Sequence, residues 1–498
     1  MPLQEQSKGV KMLQPINNIG GKVLLYEEVA GRISRMIDQG TLRPGDRIPS
    51  IRGMSKQMQV SLNTVKEAYN LLEDRRMIEA RPQSGYYVRQ RKTELPAEPV
   101  VNRPALNPAT VNLCDVYRMV MRDLLNPQLL QLGIAIPNPK LLPIEKLSRM
   151  LSREVRRFGV ESVSYDLPPG NLRLRKQIAQ RLLLSGCTLS PDQIVITSGC
   201  VEAVVLTLRA LCRPGDAVAI ETPVYFNFLQ LIEEMGVQAL EIPASPRGGI
   251  SLEALDYALS RNRGKVKACI VISNFNNPLG SSVSIEDKRR LVELVERFDV
   301  PLIEDDIYGD LSYTDERPSV AKVFDKTGNV LLCSSFSKTL APGYRVGWIA
   351  PGRFQEQIER LKMISSVATA SPGQQAIAEF LANGGYERHL RSIRRVYARQ
   401  SAQMRDTISR EFPAGTRVSN PQGGFVLWVE MPRQINALEL YRKALEHGIS
   451  IAPGHIFSVD GKFTNCIRLN AAAWDDRVEA AIGTLGRLAK QLVEEFEN

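Results

Sequence analysis

Residues Ser334–Trp348 read SSFSKTLAPGYRVGW. They follow the apolar run Val330–Cys333 and lead into a turn rich in Pro and Gly. Lysine ordinarily keeps its ammonium in water. Here Lys338 stands among small and apolar residues, just past the expected end of a buried strand. Ser335 and Ser337 precede it, and Arg345 follows seven positions later. A lysine held in a partly apolar pocket has a lowered pKa and can act as an amine nucleophile. Such an amine can form a Schiff base with the aldehyde of pyridoxal phosphate. A lysine that snorkels from a strand end to water is the plainer alternative.

Working outward, short apolar runs recur between helical stretches: QIVIT, AVAIE, KACIVIS, VPLIEDD and VLLCSS. They read as buried strands of a largely parallel α/β sheet. Past about Phe354 a long charged helix is expected. GGFVLWVEM and NCIRLNAA then suggest a smaller α+β lobe.

A pyridoxal phosphate site needs more than its lysine, and each further part has a candidate. Asp305, ending VPLIED, is the carboxylate for a pyridinium nitrogen. Tyr308 follows three residues later. Asn277 sits in NFNNPLG and Tyr225 in ETPVYFN, each after a strand. TSGCVEAV puts a Ser–Gly turn before a helix whose N–H groups, at Cys200 and Val201, can receive phosphate. Ser335, Ser337 and Arg345 complete that cradle. Arg468 in NCIRLN offers a planar fork to a carboxylate. Singly, Asp305 is equally a helix cap, Tyr225 a core residue, Asn277 the shaper of an Asn–Pro turn and Arg468 a surface arginine. Together they follow one order, mostly at strand ends, where open α/β sheets bind ligands.

The N-terminal part reads differently. Residues 1–91 hold 15 Lys/Arg against 9 Asp/Glu, or +6 of the chain's +10. This points to an anionic partner or to a solvated surface. Val29, Ile33, Met36 and Ile37 form one helical stripe. Gly40 and Arg43–Asp46 end that helix, and Ser50 and Ser61 can cap two more. MIEARPQSGYYV reads as two strands around a turn. The pattern is a winged helix-turn-helix, suited to DNA or to protein contact. Arg52, Ser61, Asn63, Thr64 and Lys66, with Gly85 in the wing, are the candidate DNA-contacting residues. Residues 92–108, with Pro96, Pro99, Pro104 and Pro108, read as a semi-extended linker.

The expected division is an extension over 1–21, a DNA-binding domain over 22–91, the linker, and a ligand-binding body over 109–498 with its small lobe from about 355. Seven scattered cysteines and three separated histidines favour neither a disulfide framework nor a metal site. No apolar run approaches the roughly 18 residues that cross a bilayer. The opening MPLQEQSKGVKMLQP lacks a signal-peptide core, so a cytoplasmic chain is expected.

Two resemblances sharpen these readings. GDRIPSIRGMSKQMQVSLNTVKEAYNLLEDRRMIEARPQSGYYV closely resembles the GntR-type DNA-binding domain. YDLPPGNLRLRKQIA, SGCVEA, NNPLG, EDDIYGD and SFSKTLAPGYRVGW resemble fold-type I aminotransferases over about residues 130–490. Joined, they resemble the MocR subfamily of transcription regulators. The resemblance implies a winged helix-turn-helix fused to an α/β PLP-dependent transferase-like domain. It implies Lys338 as the Schiff-base lysine, Asp305 beneath the pyridine nitrogen and Tyr225 stacked on the ring. Asn277 and Tyr308 are then on the phenolate oxygen. Ser335, Ser337, Arg345 and the backbone at Cys200 and Val201 take the phosphate, joined by Tyr165 from a partner subunit. Arg468 takes a substrate or effector carboxylate. Many relatives carry polar side chains where Cys200 and Val201 stand. The family also implies a head-to-tail homodimer, operator DNA with two half-sites, and a small amine or amino-acid effector. The alternative is a working aminotransferase that carries a DNA-binding module.

Overall fold

The computed structural model describes residues 24–38, 41–42, 45–75, 77–81, 84–89, 96–111, 115–123 and 126–497. The expected extension over 1–21, the helix-ending Gly40, Arg43 and Pro44, and the start of the expected linker at 92–95 lie outside them. The chain divides into two compact units, one through Leu95 and one from Pro96.

In the first unit three helices, α1 (Leu25–Asp38), α2 (Ile51–Met58) and α3 (Leu62–Asp74), precede a hairpin of β1 (Ile78–Arg81) and β2 (Gly85–Val88). Ser50 caps α2 by accepting from the Gly53 N–H, and Ser61 caps α3 by accepting from the Thr64 N–H. Val29, Ile33, Met54, Met58, Val65, Ala68, Leu72, Ile78 and Val88 form its core. Met36 and Ile37 pack only at the core's margin.

The second unit is built on a mixed nine-stranded sheet. Its main strands are β3 (Val195–Thr197), β4 (Ala217–Thr222), β5 (Gln238–Ser245), β6 (Val266–Val271), β7 (Leu302–Asp305), β8 (Val330–Ser335) and β9 (Gly347–Ala350). In space they run β5-β4-β6-β7-β8-β9-β3. The first five are mutually parallel; β9 lies antiparallel to both β8 and β3. The parallel strands are buried on both faces, which is why they read as unbroken apolar runs. Two of these strands are additions to the expected set: β9, of only four residues, and β5. Glu241 and Pro243 interrupt its apolar run, and Glu241 is buried because its carboxylate accepts from Thr222 Oγ1 and the Val459 N–H.

The single long helix expected after Phe354 is three: Gln355–Ser366, Ser371–Ala382 and Gly385–Glu411. Gly384, at φ +68°, separates the last two. The small lobe pairs β10 (Val426–Glu430) with β11 (Cys466–Asn470), flanked by Arg417–Val418 and Ala452–Pro453. From Ala97 on, the expected linker is bonded to this second unit: Ala97 O accepts from the Val418 N–H at 2.9 Å, and the Val100 N–H donates to Glu430 at 2.7 Å. Among the described residues no helix is long and apolar enough to cross a membrane.

Candidate cofactor site and DNA-facing helix

The parallel strands end together, and their C-terminal ends open onto a cavity of about 200 Å³. Cys200, Val201, Tyr225, Asn277, Asp305, Tyr308, Ser335, Ser337, Lys338 and Arg345 all line it. They come from the exits of several elements: Tyr225 after β4, Asn277 after β6, Asp305 and Tyr308 at and just past the end of β7, and Ser335, Ser337 and Lys338 at and just past the end of β8. Val204, Phe228, Ile272 and Ile307 add apolar walls that the sequence reading did not single out.

Burial sets the electrostatics. It pulls the Lys338 ammonium down to about 8; Arg468 and Arg345 push the same way, and Asp305 opposes. Burial raises the Asp305 carboxyl to about 7, against the Ile307 N–H that donates to its Oδ1 at 2.9 Å. It also raises Tyr225 to about 12 and lowers Arg468 to about 10. Lys338 Nζ donates to Ala135 O at 2.5 Å.

The phosphate end is a cradle without side-chain caps. The helix Cys200–Leu211 starts after Gly199, and no side chain takes up its first N–H groups. Gly199 sits at φ +92°, and a Cβ there would run into the Arg345 guanidinium. Arg345 is held by Ser337 Oγ at 3.2 Å and Ser198 O at 3.1 Å, and itself adopts φ +52°. Strained backbone of this kind persists where the surroundings over-determine it. The Cys200 and Val201 side chains add no strong donor, as expected; burial pushes the Cys200 thiol well up.

Of the buried polar atoms without a protein partner among the described residues, two belong to the candidate site residues: Tyr308 Oη and Arg468 Nε. An unpaired buried donor is costly, so these atoms are poised for a ligand. Asn277 turns its Oδ1 to Arg468 Nη1, at 3.0 Å, which leaves its amide N–H groups to donate. This donor set fits pyridoxal phosphate: Asp305 for the ring nitrogen, Asn277 and Tyr308 for the phenolate, and Ser335, Ser337, Arg345 and the helix N–H groups for the phosphate.

Arg468 does not line the cavity wall. It lies 1 % exposed between Phe226 and Phe457, its guanidinium 5.6 and 5.1 Å from their ring centres. Tyr165 is 78 % exposed and outside its own chain's cavity. Asn470, bonded to the backbone beside the cavity, was missed, although it lies two residues from Arg468 on the same strand.

In the first unit Arg52, Asn63 and Lys66 are exposed, and their side chains make no hydrogen bond or ion pair with the described residues. Ser61 and Thr64 are partly committed to the cap, their hydroxyls 2.8 Å apart. Gly85, at φ +106°, lies 3.4 Å from the Arg47 guanidinium, measured from where its Cβ would stand.

Residues 160–485 match the family Aminotransferase class I and II, and residues 25–88 match Bacterial regulatory proteins, gntR family. The Escherichia coli (strain K12) protein described as an uncharacterized HTH-type transcriptional regulator YdcR is 38 % identical over 467 residues, 94 % of this chain and 99 % of that one. The regulator YjiR of the same organism, described likewise, is 39 % identical over 447 residues, 90 % and 94 % of the two chains. Among solved structures, the α-aminoadipate aminotransferase LysN from Thermus thermophilus, complexed with N-(5'-phosphopyridoxyl)-L-leucine, superposes with a TM-score of 0.70 at 29 % identity. The match covers 75 % of this chain and 95 % of that one.

Proposed function

Because the chain belongs to the aminotransferase class I and II family and carries a gntR-family domain at its N-terminal end, we infer that it is a pyridoxal phosphate-dependent transcriptional regulator that senses a small molecule. Residues 22–91 bind operator DNA, 92–108 link, and 109–498 hold the cofactor. The sensed molecule is pyridoxal phosphate itself or an amine or amino acid.

The observation that carries this reading is the cavity at the strand ends, lined by a half-buried lysine, a buried carboxylate and an orphaned tyrosine hydroxyl. When bound, pyridoxal phosphate supplies an aldehyde that Lys338 captures as a Schiff base and for which an incoming amine competes. The chain's residues do the rest. Lys338, lowered to about 8 by burial, keeps a neutral fraction on the order of a tenth near pH 7, far more than an ordinary lysine, and so is a competent nucleophile. Asp305 balances the ring charge, Tyr225 stacks on the ring, and Arg468 takes an effector carboxylate.

The exposed Tyr165 suits a role at the phosphate of a second copy, which makes the active form a homodimer. Val160 and Val163, 80 % and 85 % exposed, lie beside it and give that contact an apolar surface. Paired winged helices then read two half-sites. Regulation follows only if the effector binds differently to the DNA-competent and DNA-incompetent arrangements.

The test is the visible absorbance of purified full-length protein, before and after borohydride reduction. Reducible absorbance that Lys338→Ala abolishes supports the reading; a colourless protein that cannot be loaded contradicts it.

A second reading, a working aminotransferase with a DNA-binding module, is favoured by the same complete cavity. Lys338, once free, sits where it can move a proton at a substrate's Cα. Steady keto-acid production from amino donors, abolished by Lys338→Ala, would establish that reading; its absence leaves the sensor.

A further inference from the structure

Residues 133–136 are tied to the cofactor site by their carbonyls, which alternate between two sets of donors. Ile134 O and Ile136 O accept from Asn470 Nδ2 at 2.7 and 2.9 Å. Ala135 O accepts from Lys338 Nζ at 2.5 Å, and Gly133 O accepts from Arg468 Nη2. One asparagine therefore holds the even carbonyls, and the two cations of the site hold the odd ones.

The segment is anchored to the small lobe just before these residues. Leu130–Gln131 pairs in parallel with Ile449–Ser450. The Leu132 N–H donates to Ser450 O at 2.9 Å, and the Asn470 N–H donates to Leu132 O at 2.7 Å. Gly133 lies against the small-lobe backbone, where a Cβ would come within 2.6 Å of Ala452 N. Side-chain bulk at Gly133 would force the segment off its seat.

Resting on the cofactor-sensor reading above, we propose that residues 133–136 form a carbonyl strap that competes with ligands for Lys338 and Arg468, and that Asn470 is the residue that positions it. Arg468 has Nε unpaired and Nη2 spent on Gly133 O. A carboxylate that takes the Nε/Nη2 edge of the fork must displace that carbonyl. An aldehyde that reaches Lys338 must displace Ala135 O. Both events lift the same short segment, so filling either subsite loosens the strap over the other. Asn470 opposes this with two hydrogen bonds, and a third fixes its own orientation: its Oδ1 accepts from the Ala472 N–H at 2.9 Å.

The strap sets rates of entry. Asn470→Asp keeps the shape and the Ala472 contact but loses both strap donors. Gly133→Ala unseats the strap from the opposite side. In cofactor-stripped full-length protein, pyridoxal phosphate association followed by visible absorbance is expected to rise roughly tenfold in each variant, the loss of two neutral hydrogen bonds' restraint. In loaded protein, L-alanine and ethylamine serve as probes with and without a carboxylate. With L-alanine, whose carboxylate must displace Gly133 O from Arg468, the wild-type rate of spectral change is expected to plateau at the strap-opening rate and the plateau to rise in both variants; with ethylamine, which displaces no carbonyl, wild type and variants are expected to react alike. A merely structural role for Asn470 would lower the thermal midpoint and leave these rates unchanged. Unchanged association and plateau rates in both variants, with wild-type loading intact, overturn the strap while the sensor reading stands. Failure of the wild-type protein to load any cofactor overturns the sensor reading, and the strap with it.

Discussion

Arg468 Nη1 donates to Asn277 Oδ1 at 3.0 Å, joining residues 191 positions apart and on different lobes. The contact orients the Asn277 amide so that its N–H groups face the cofactor cavity. It also ties Arg468, the arginine proposed to take an effector carboxylate, to a residue of the cofactor cavity.

Arg468→Lys keeps the charge but loses the fork. Pyridoxal phosphate loading is expected to survive. The affinity for L-alanine relative to ethylamine, read by spectral titration, is expected to fall at least roughly tenfold, in line with a charge-assisted hydrogen bond. An unchanged ratio would place the carboxylate elsewhere.

Lys338 gives a pH signature. Only the neutral amine attacks an aldehyde, and burial holds the ammonium down to about 8. Association of pyridoxal phosphate with stripped protein should quicken as pH rises through about 8 and then level off. An ordinary lysine would show acceleration continuing past about pH 10. Stopped-flow absorbance between about pH 6 and 10 distinguishes the two profiles.

In the winged helix, Lys66 and Asn63 should separate by kind of contact. Lys66→Ala is expected to weaken binding evenly across sequences and to reduce the salt slope by about 1. Asn63→Ala is expected to relax preference at one base pair, at a cost of roughly 1–3 kcal/mol. Fluorescence anisotropy on duplexes selected from a random pool, at several salt concentrations, reads both. Equal salt slopes and equal selectivity for wild type and both variants would remove this helix from the interface.

Behind the cavity, Arg317 Nε contacts Asp310 at 2.7 Å and its Nη2 pairs with Asp306; Arg181 Nε contacts Asp310 at 2.8 Å. Burial works to raise the Asp310 carboxyl, and the two arginines overcome it, holding it well below the usual carboxylate range. A carboxyl depressed in the folded state contributes stability above its unfolded value of about 3.9, and that contribution is lost as pH falls. Arg317→Met should cost on the order of 3–5 kcal/mol at neutral pH by leaving the buried Asp306 carboxylate without its arginine and Asp310 with one arginine in place of two. It should also flatten the decline in stability below about pH 4. Chemical denaturation at about pH 7 and about pH 3.5 measures both.

What could be read in advance was local. The recognition helix announces itself through Ser61 and the spacing of Val65, Ala68 and Leu72. Strands buried on both faces announce themselves as apolar runs, so the ends carrying Tyr225, Asn277, Asp305 and Lys338 could be located. β5 escaped because Glu241 and Pro243 break its run, and the partners that make Glu241 burial tolerable lie 19 and 218 residues away. The break between Ser366 and Ser371 was hidden because Val367–Ala370 carry no Gly or Pro to mark it. The strap could not be read at all, because its chemistry belongs to backbone carbonyls that carry no residue identity. Arg468 was read as a carboxylate fork or a surface arginine; its burial between Phe226 and Phe457, which removes the second reading, follows only from the packing of the small lobe.

The central claim is that the ligand state at Lys338 is read out at DNA. The direct measurement is the Kd and bend angle of a selected operator duplex with three preparations of full-length protein: loaded with pyridoxal phosphate, stripped of it, and Lys338→Ala. Loaded and stripped protein should differ in affinity by roughly 5-fold or more, the usual scale of coupling between sites. Lys338→Ala should behave as stripped protein whether or not cofactor is added. Identical affinity and bending in all three would contradict the account.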